Sequence, residues 1–173
     1  MATQRSLTLP EALKLAQSHH RAGRLQQAEG IYRQILKAKP NHPDANFLMG
    51  SLAIQMSNNA AAVGWLQKTL QSKPQFANAH YNLGNALTAL GRFKEAVTAF
   101  QKVIDLKPDH LEAHINLGSA YRELKRPAKA VESFQQALQP TPTWGRSTIA
   151  WAAPSRIRAS SIRLWPAYRP PSP

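Results

Sequence analysis

Four prolines mark the chain at a fixed interval: Pro40, Pro74, Pro108 and Pro142 each stand 34 residues after the last. A period of this size means stacked copies of one supersecondary unit, each burying its apolar face against its neighbours. The clearest copy runs from Ala77 to His110. Leu83, Gly84, Leu87 and Leu90 fall at helical spacing, Gly91 interrupts, and Ala96, Phe100, Val103 and Ile104 form a second helical stripe. Pro108 then ends the unit, because proline lacks the amide hydrogen a helix needs and clashes with the preceding turn. The unit reads as helix, tight turn, helix, linker.

The unit resembles the tetratricopeptide repeat (TPR) family. With Ala77 as place 1, Leu83, Gly84, Leu87, Gly91, Ala96, Phe100 and Pro108 stand at places 7, 8, 11, 15, 20, 24 and 32 of that family's pattern. Small residues at places 8 and 20 let the two helices cross closely, and the ring at place 24 fills the space between them. The resemblance implies an all-α fold, a right-handed α-solenoid of about four helix-turn-helix repeats followed by an irregular C-terminal tail. In style the repeats are similar to the superhelical TPR region of O-linked N-acetylglucosamine transferases.

The expected boundaries follow the period. Residues 1–8 read as a flexible amino terminus, 9–142 as four repeats (9–42, 43–76, 77–110 and 111–142), and 143–173 as an irregular tail. Thr8 and Glu11 have the spacing of a capping box, which predicts a helix start there. In repeat one, Leu15, Ala16, Ala28, Tyr32 and Pro40 fit the pattern, Gly23 makes the turn, and His19 stands at the aromatic place. Repeat two has Met49, Gly50, Ala53, Ala62, Leu66 and Pro74 in place. Its turn is Ser57-Asn58-Asn59, where asparagine is expected to take the left-handed backbone. Repeat four shares the Ala-His-x-Asn-Leu-Gly core of repeat three, as Ala113–Gly118, and adds Tyr121, Ala130, Phe134 and Ala137. Lys125 and Arg126 replace its turn glycine, and Pro127 suits a first helical turn.

Each repeat boundary has a proline, a polar residue and a ring, the last being Pro142-Thr143-Trp144, after which the pattern stops. The tail is rich in Arg, Ser, Pro, Ala and Trp. It reads either as a functional basic extension or as a segment not selected to fold, such as a frame shift or truncation would produce. No fifth repeat is expected there, and the uncapped last repeat is expected to fray or to self-associate.

Composition bounds the function. The chain has 173 residues, 43% hydrophobic, with no cysteine, so neither a disulfide framework nor a cysteine zinc site is available. The start lacks the apolar run of a secretory signal and no stretch approaches a membrane span, so the expected location is cytoplasmic. The net charge is +13, with all nine acidic residues before position 143 and five arginines after it. Such a balance admits nucleic acid as a partner. His110 and His114 have metal-ligand spacing, but they repeat the places of His42 and His80, so repeat packing explains them and no metal or other cofactor is expected. No phosphate loop, dinucleotide fingerprint or nucleophile elbow occurs, and an enzyme contained in these residues is not expected.

The family resemblance implies that places 2, 5, 6, 9 and 12 of each first helix line a concave groove. In repeats three and four these are Asn78, Tyr81, Asn82, Asn85 and Thr88, then Glu112, Ile115, Asn116, Ser119 and Arg122. In repeat two they are Asp44, Phe47, Leu48, Ser51 and Ile54, and in repeat one Pro10, Leu13, Lys14, Gln17 and His20. Asn82 and Asn116 share one place. A carboxamide both donates and accepts, so the pair is expected to hold the backbone of an extended peptide whatever its sequence, with Tyr81 and Arg122 adding selectivity. The leading expectation is a non-catalytic scaffold that binds a protein or peptide segment in this groove. The alternatives are the amino-terminal piece of a larger enzyme, such as a glycosyltransferase, and a basic nucleic-acid binder.

Overall fold

The computed structural model describes residues 7–138, all within the unit Met1–Pro140. The expectations for the tail, for Pro142 and for residues 1–6 lie outside the described residues. Eight helices follow one another there: α1 (Leu9–Arg21), α2 (Leu25–Ala38), α3 (Pro43–Gln55), α4 (Asn59–Ser72), α5 (Ala77–Ala89), α6 (Phe93–Leu106), α7 (Leu111–Glu123) and α8 (Pro127–Leu138). Each packs on the next in sequence, and α1, α3, α5 and α7 also touch in succession. This is the all-α solenoid expected from the period.

The turn inside every pair has one geometry. Gly23, Ser57, Gly91 and Lys125, one per repeat, take left-handed φ values of 71°, 59°, 70° and 56°. The amide of each next residue donates five residues back: Arg24 to His19, Asn58 to Ala53, Arg92 to Leu87 and Arg126 to Tyr121. These are Schellman closures, which satisfy helix carbonyls that have no partner within the helix. In repeat two the left-handed residue is therefore Ser57, not an asparagine. Asn58 instead caps α4, its side chain accepting from the Ala61 amide at 3.1 Å. The period places the left-handed backbone at Ser57, and the Asn58 side chain is freed to take an exposed helix-start donor.

The linkers repeat as closely. Asn46 Nδ2 donates to the Pro40 carbonyl at 3.0 Å, and His80 and His114 donate through Nε2 to the carbonyls of Pro74 and Pro108 at 2.8 Å. A carbonyl only accepts, so both imidazoles carry the hydrogen on Nε2. His42 and His110 cap α3 and α7, accepting on Nδ1 from the amides of Ala45 and Ala113. The histidines do the same work in each copy, and among the described residues no three His, Asp or Glu side chains gather in a metal-binding group. At the start of α1, the Glu11 carboxylate accepts from both the amide and the hydroxyl of Thr8. Those bonds hold its carboxyl below the usual range.

Close helix crossing explains the small residues. A Cβ added at Gly84 would sit 2.5 Å from the Phe100 ring, and one at Gly118 would sit 2.6 Å from Phe134. Phe100 and Leu66 anchor a core that runs from Ala53 to Leu117. A second core, around Tyr32, joins repeat one to the front of repeat two. Burial pushes the Tyr32 phenol up to about 12. Its hydroxyl and the Asn46 Oδ1 are buried without a partner among the described residues.

Candidate functional site: the concave face

The expected groove residues lie on the first helix of each pair, and these first helices touch in succession. The residues differ in exposure and bonding. Asn78, Glu112 and Arg122 are exposed, as is Ile115. Arg122 makes a 3.4 Å contact with its neighbour Glu123, and Glu112 Oε2 lies 3.2 Å from His110 Nδ1. Thr88 and Ser119 turn their hydroxyl hydrogens back on the carbonyls of Gly84 and Ile115, four residues earlier. Ser51 does the same with Phe47. In repeats one and two the groove floor is apolar: Leu13, Phe47, Leu48 and Ile54 are half-buried against the cores beneath.

The two asparagines at one place are tied to the preceding repeat. Asn82 Nδ2 donates to Ser51 Oγ at 3.0 Å. The Ser51 hydrogen is already used on Phe47, so the serine oxygen must accept and the nitrogen of Asn82 must face it. Asn116 Nδ2 donates to Asn85 Oδ1 at 2.9 Å and to the Tyr81 hydroxyl at 3.3 Å. Place 6 of one repeat thus donates to place 9 of the repeat before it, twice in succession. No such rung joins repeats one and two, where the same places hold Gln17 and Leu48.

Tyr81 is not a loose groove side chain. Its ring meets Phe100 edge-on with centroids 6.0 Å apart and stacks on His110 at 5.0 Å with 29° between planes. It also packs on the central core, so it is half-buried. Two participants were not foreseen. His110 was read only as a linker ring, and Ser51 only as a lining residue; their signal was that each recurs one repeat from another polar partner. His20 likewise bonds Gln55 of the next repeat at 2.8 Å.

Tyr81, Asn82, Asn85, Asn116 and Ser51 are thus bonded to one another across repeat junctions, while Asn78, Glu112, Ile115 and Arg122 are exposed. No helix among the described residues is long and apolar enough to cross a membrane.

Comparison with known proteins agrees with this geometry. Two models of the tetratricopeptide repeat match, one over residues 19–85 and the other over residues 75–139. The comparison with curated proteins finds no match. Among solved structures, a crystal structure of MamA is similar with a TM-score of 0.72 and 26% identity, covering 75% of this chain and 75% of that one. Another MamA crystal structure has a TM-score of 0.72 and 26% identity, covering 75% and 70%. MamA MSR-1, at 23% identity and a TM-score of 0.71 over 79% and 78%, shares the fold. The two repeat models together span most of the chain, and with eight helices in four repeated pairs the chain belongs to the tetratricopeptide repeat family.

Proposed function

We propose that this protein-interaction scaffold holds an extended segment of a protein partner along its concave face, and that the segment's backbone is gripped at repeats three and four. The observation that carries the reading is the pair of rungs at Asn82 and Asn116. Each leaves a carboxamide oxygen without a partner among the described residues, at the same place in successive repeats. Such groups recognise peptide N–H hydrogens without regard to side chains. The apolar floor of Leu13, Phe47, Leu48 and Ile54 supports a ligand with apolar side chains at its other end. The likeness to the transferase repeats rests on the two asparagines alone.

The chain works as a binding module and not as a catalyst in this reading, with the cytoplasm as its place of work. A lysate pulled down with the protein identifies a partner segment, which is then synthesised and titrated. Asn82→Ala with Asn116→Ala is expected to weaken it by roughly tenfold or more, at about 0.5–1.5 kcal/mol per hydrogen bond. Unchanged affinity in a folded double variant would remove the reading. The basic balance supports nucleic acid as a competing partner, and a steep fall of affinity with salt would identify it.

A further inference from the structure

We infer that Tyr81, Asn85 and Asn116 form one preorganised receptor for a single amide group, placed at the junction of repeats three and four. This rests on the reading of the concave face as a peptide groove and says where in the groove recognition is concentrated.

Hydrogens decide it. The Asn116 amide carries two, and it donates to Asn85 Oδ1 at 2.9 Å and to the Tyr81 hydroxyl at 3.3 Å. Neither is left for a ligand, so the group that Asn116 can offer is its oxygen. Asn85 is held by its oxygen, so it offers its NH2. Tyr81 accepts on its hydroxyl oxygen and keeps its own hydrogen to donate. The cluster therefore offers one acceptor and two donating groups. A peptide group brings one N–H and one C=O, which is the complement. A carboxylate has no hydrogen for the Asn116 oxygen, and an ammonium has no acceptor for Asn85 or Tyr81.

The other rung is poorer in donors. Ser51 accepts one hydrogen of Asn82 and spends its own on the Phe47 carbonyl, so beside the Asn82 oxygen only the second Asn82 hydrogen is left to donate. The two asparagines that share a place are thus unequal: Asn116 sits in a three-membered cluster and Asn82 in a simple pair. The cluster is also the better fixed. The Tyr81 ring is clasped between Phe100 and His110, and a receptor whose groups are locked by packing loses little freedom when it binds.

An amide can come from the ligand's backbone or from an Asn or Gln side chain. Peptides selected on the full chain from a random display library and resynthesised supply the probes. Tyr81→Phe keeps the ring and removes the hydroxyl; Asn85→Ala removes the donor. Each is expected to weaken the selected peptides about fivefold or more with the thermal melt unchanged. In the free protein, Tyr81→Phe is expected to shift the Asn116 side-chain amide resonance and speed its hydrogen exchange. Methylating peptide backbone nitrogens singly is expected to find one position where affinity drops, with the drop absent in Asn116→Leu. If the loss instead follows replacement of a ligand Asn or Gln by Ala, the receptor stands with a side-chain amide as its target. If Asn82→Ala and Thr88→Lys weaken binding while Tyr81→Phe and Asn85→Ala do not, the receptor is overturned and the groove survives. If no peptide is enriched, or none responds to any groove variant, both are overturned.

Discussion

The junction between repeats one and two and the junction between repeats three and four occupy the same places in the 34-residue pattern, yet they are built differently. At the later junction α7 lies closely on α6, Tyr81 stacks on His110, His114 is bonded to a linker carbonyl and Asn116 ties back to Asn85. At the earlier one α3 lies less closely on α2, and the buried Tyr32 hydroxyl and Asn46 Oδ1 have no partners among the described residues. The side-chain bond that crosses it, His20 to Gln55, lies at other places of the pattern than the asparagine rungs. A repeat pattern therefore specifies helices and their order, while the strength of each seam depends on residues that the pattern leaves free. In a solenoid, stability is close to a sum of repeat and nearest-neighbour terms, so unequal seams are felt separately.

The largest expected effect tests the strong seam. Phe100 is fully buried against Gly84 and Tyr81, in the core that also holds Leu117 of α7, and Phe100→Ala should cost about 3–5 kcal/mol in denaturant unfolding. Hydrogen exchange should place the loss in α5 to α8 and spare α1 and α2. A uniform loss along the chain would show that the seams are not separable.

Next is the weak seam. Tyr32→Phe removes an unpartnered buried hydroxyl and should stabilise the chain by about 1 kcal/mol, toward the lower end of the desolvation range for such a group. A thermal melt reads this directly. A destabilised variant would mean that the hydroxyl is bonded in solution, and the contrast between the seams would shrink.

Smaller changes concern the turns. Ser57 and Lys125 hold left-handed φ without being glycine, a strain of about 1–2 kcal/mol that glycine avoids at an entropic cost of about 0.5–1 kcal/mol. Ser57→Gly and Lys125→Gly should each raise the melting temperature slightly, and Gly91→Ala should lower it. Equal behaviour of both substitutions would show that turn geometry is independent of the seam beside it.

The smallest effect lies at the start of α1. The Thr8 bonds depress the Glu11 carboxyl in the folded chain, so as pH falls the unfolded chain takes up the proton first. The added stability is full above the ordinary carboxylate range and is lost as pH drops through the lowered folded value. Glu11→Gln should flatten that part of the pH profile, and an unchanged profile would show that the cap is open in solution.

The helix pairs were legible because their cause is steric and local. Gly84 and Gly118 are small where a ring crosses, and Phe100 and Phe134 are large where space must be filled; both are read from residue type alone. The turns at Ser57 and Lys125 were legible only as gaps in the pattern, since neither residue favours the left-handed conformation. An asparagine of the Ser57-Asn58-Asn59 turn was expected in that role, and Asn58 is instead a helix cap. The candidate site was legible as a set of places but not as a bonded network. Bonds such as Asn82 to Ser51 and Asn116 to Asn85 join residues 31 apart, and no local rule says which hydrogen goes to which neighbour. The packing of Tyr81 was hidden for the same reason, because its stacking partner His110 belongs to the linker that follows.

The farthest-reaching side-chain hydrogen bonds among the described residues join positions only 35 apart, His20 to Gln55 and Tyr81 to Asn116. Everything that holds a repeat is thus available once the next repeat has been made. Chains with such local contacts close short loops and fold in microseconds to milliseconds, faster than a ribosome adds even one residue at about 5–20 per second. Synthesis therefore sets the pace: each pair can settle on the one before it as it emerges, and the Asn116 cluster closes after the Asn82 pair.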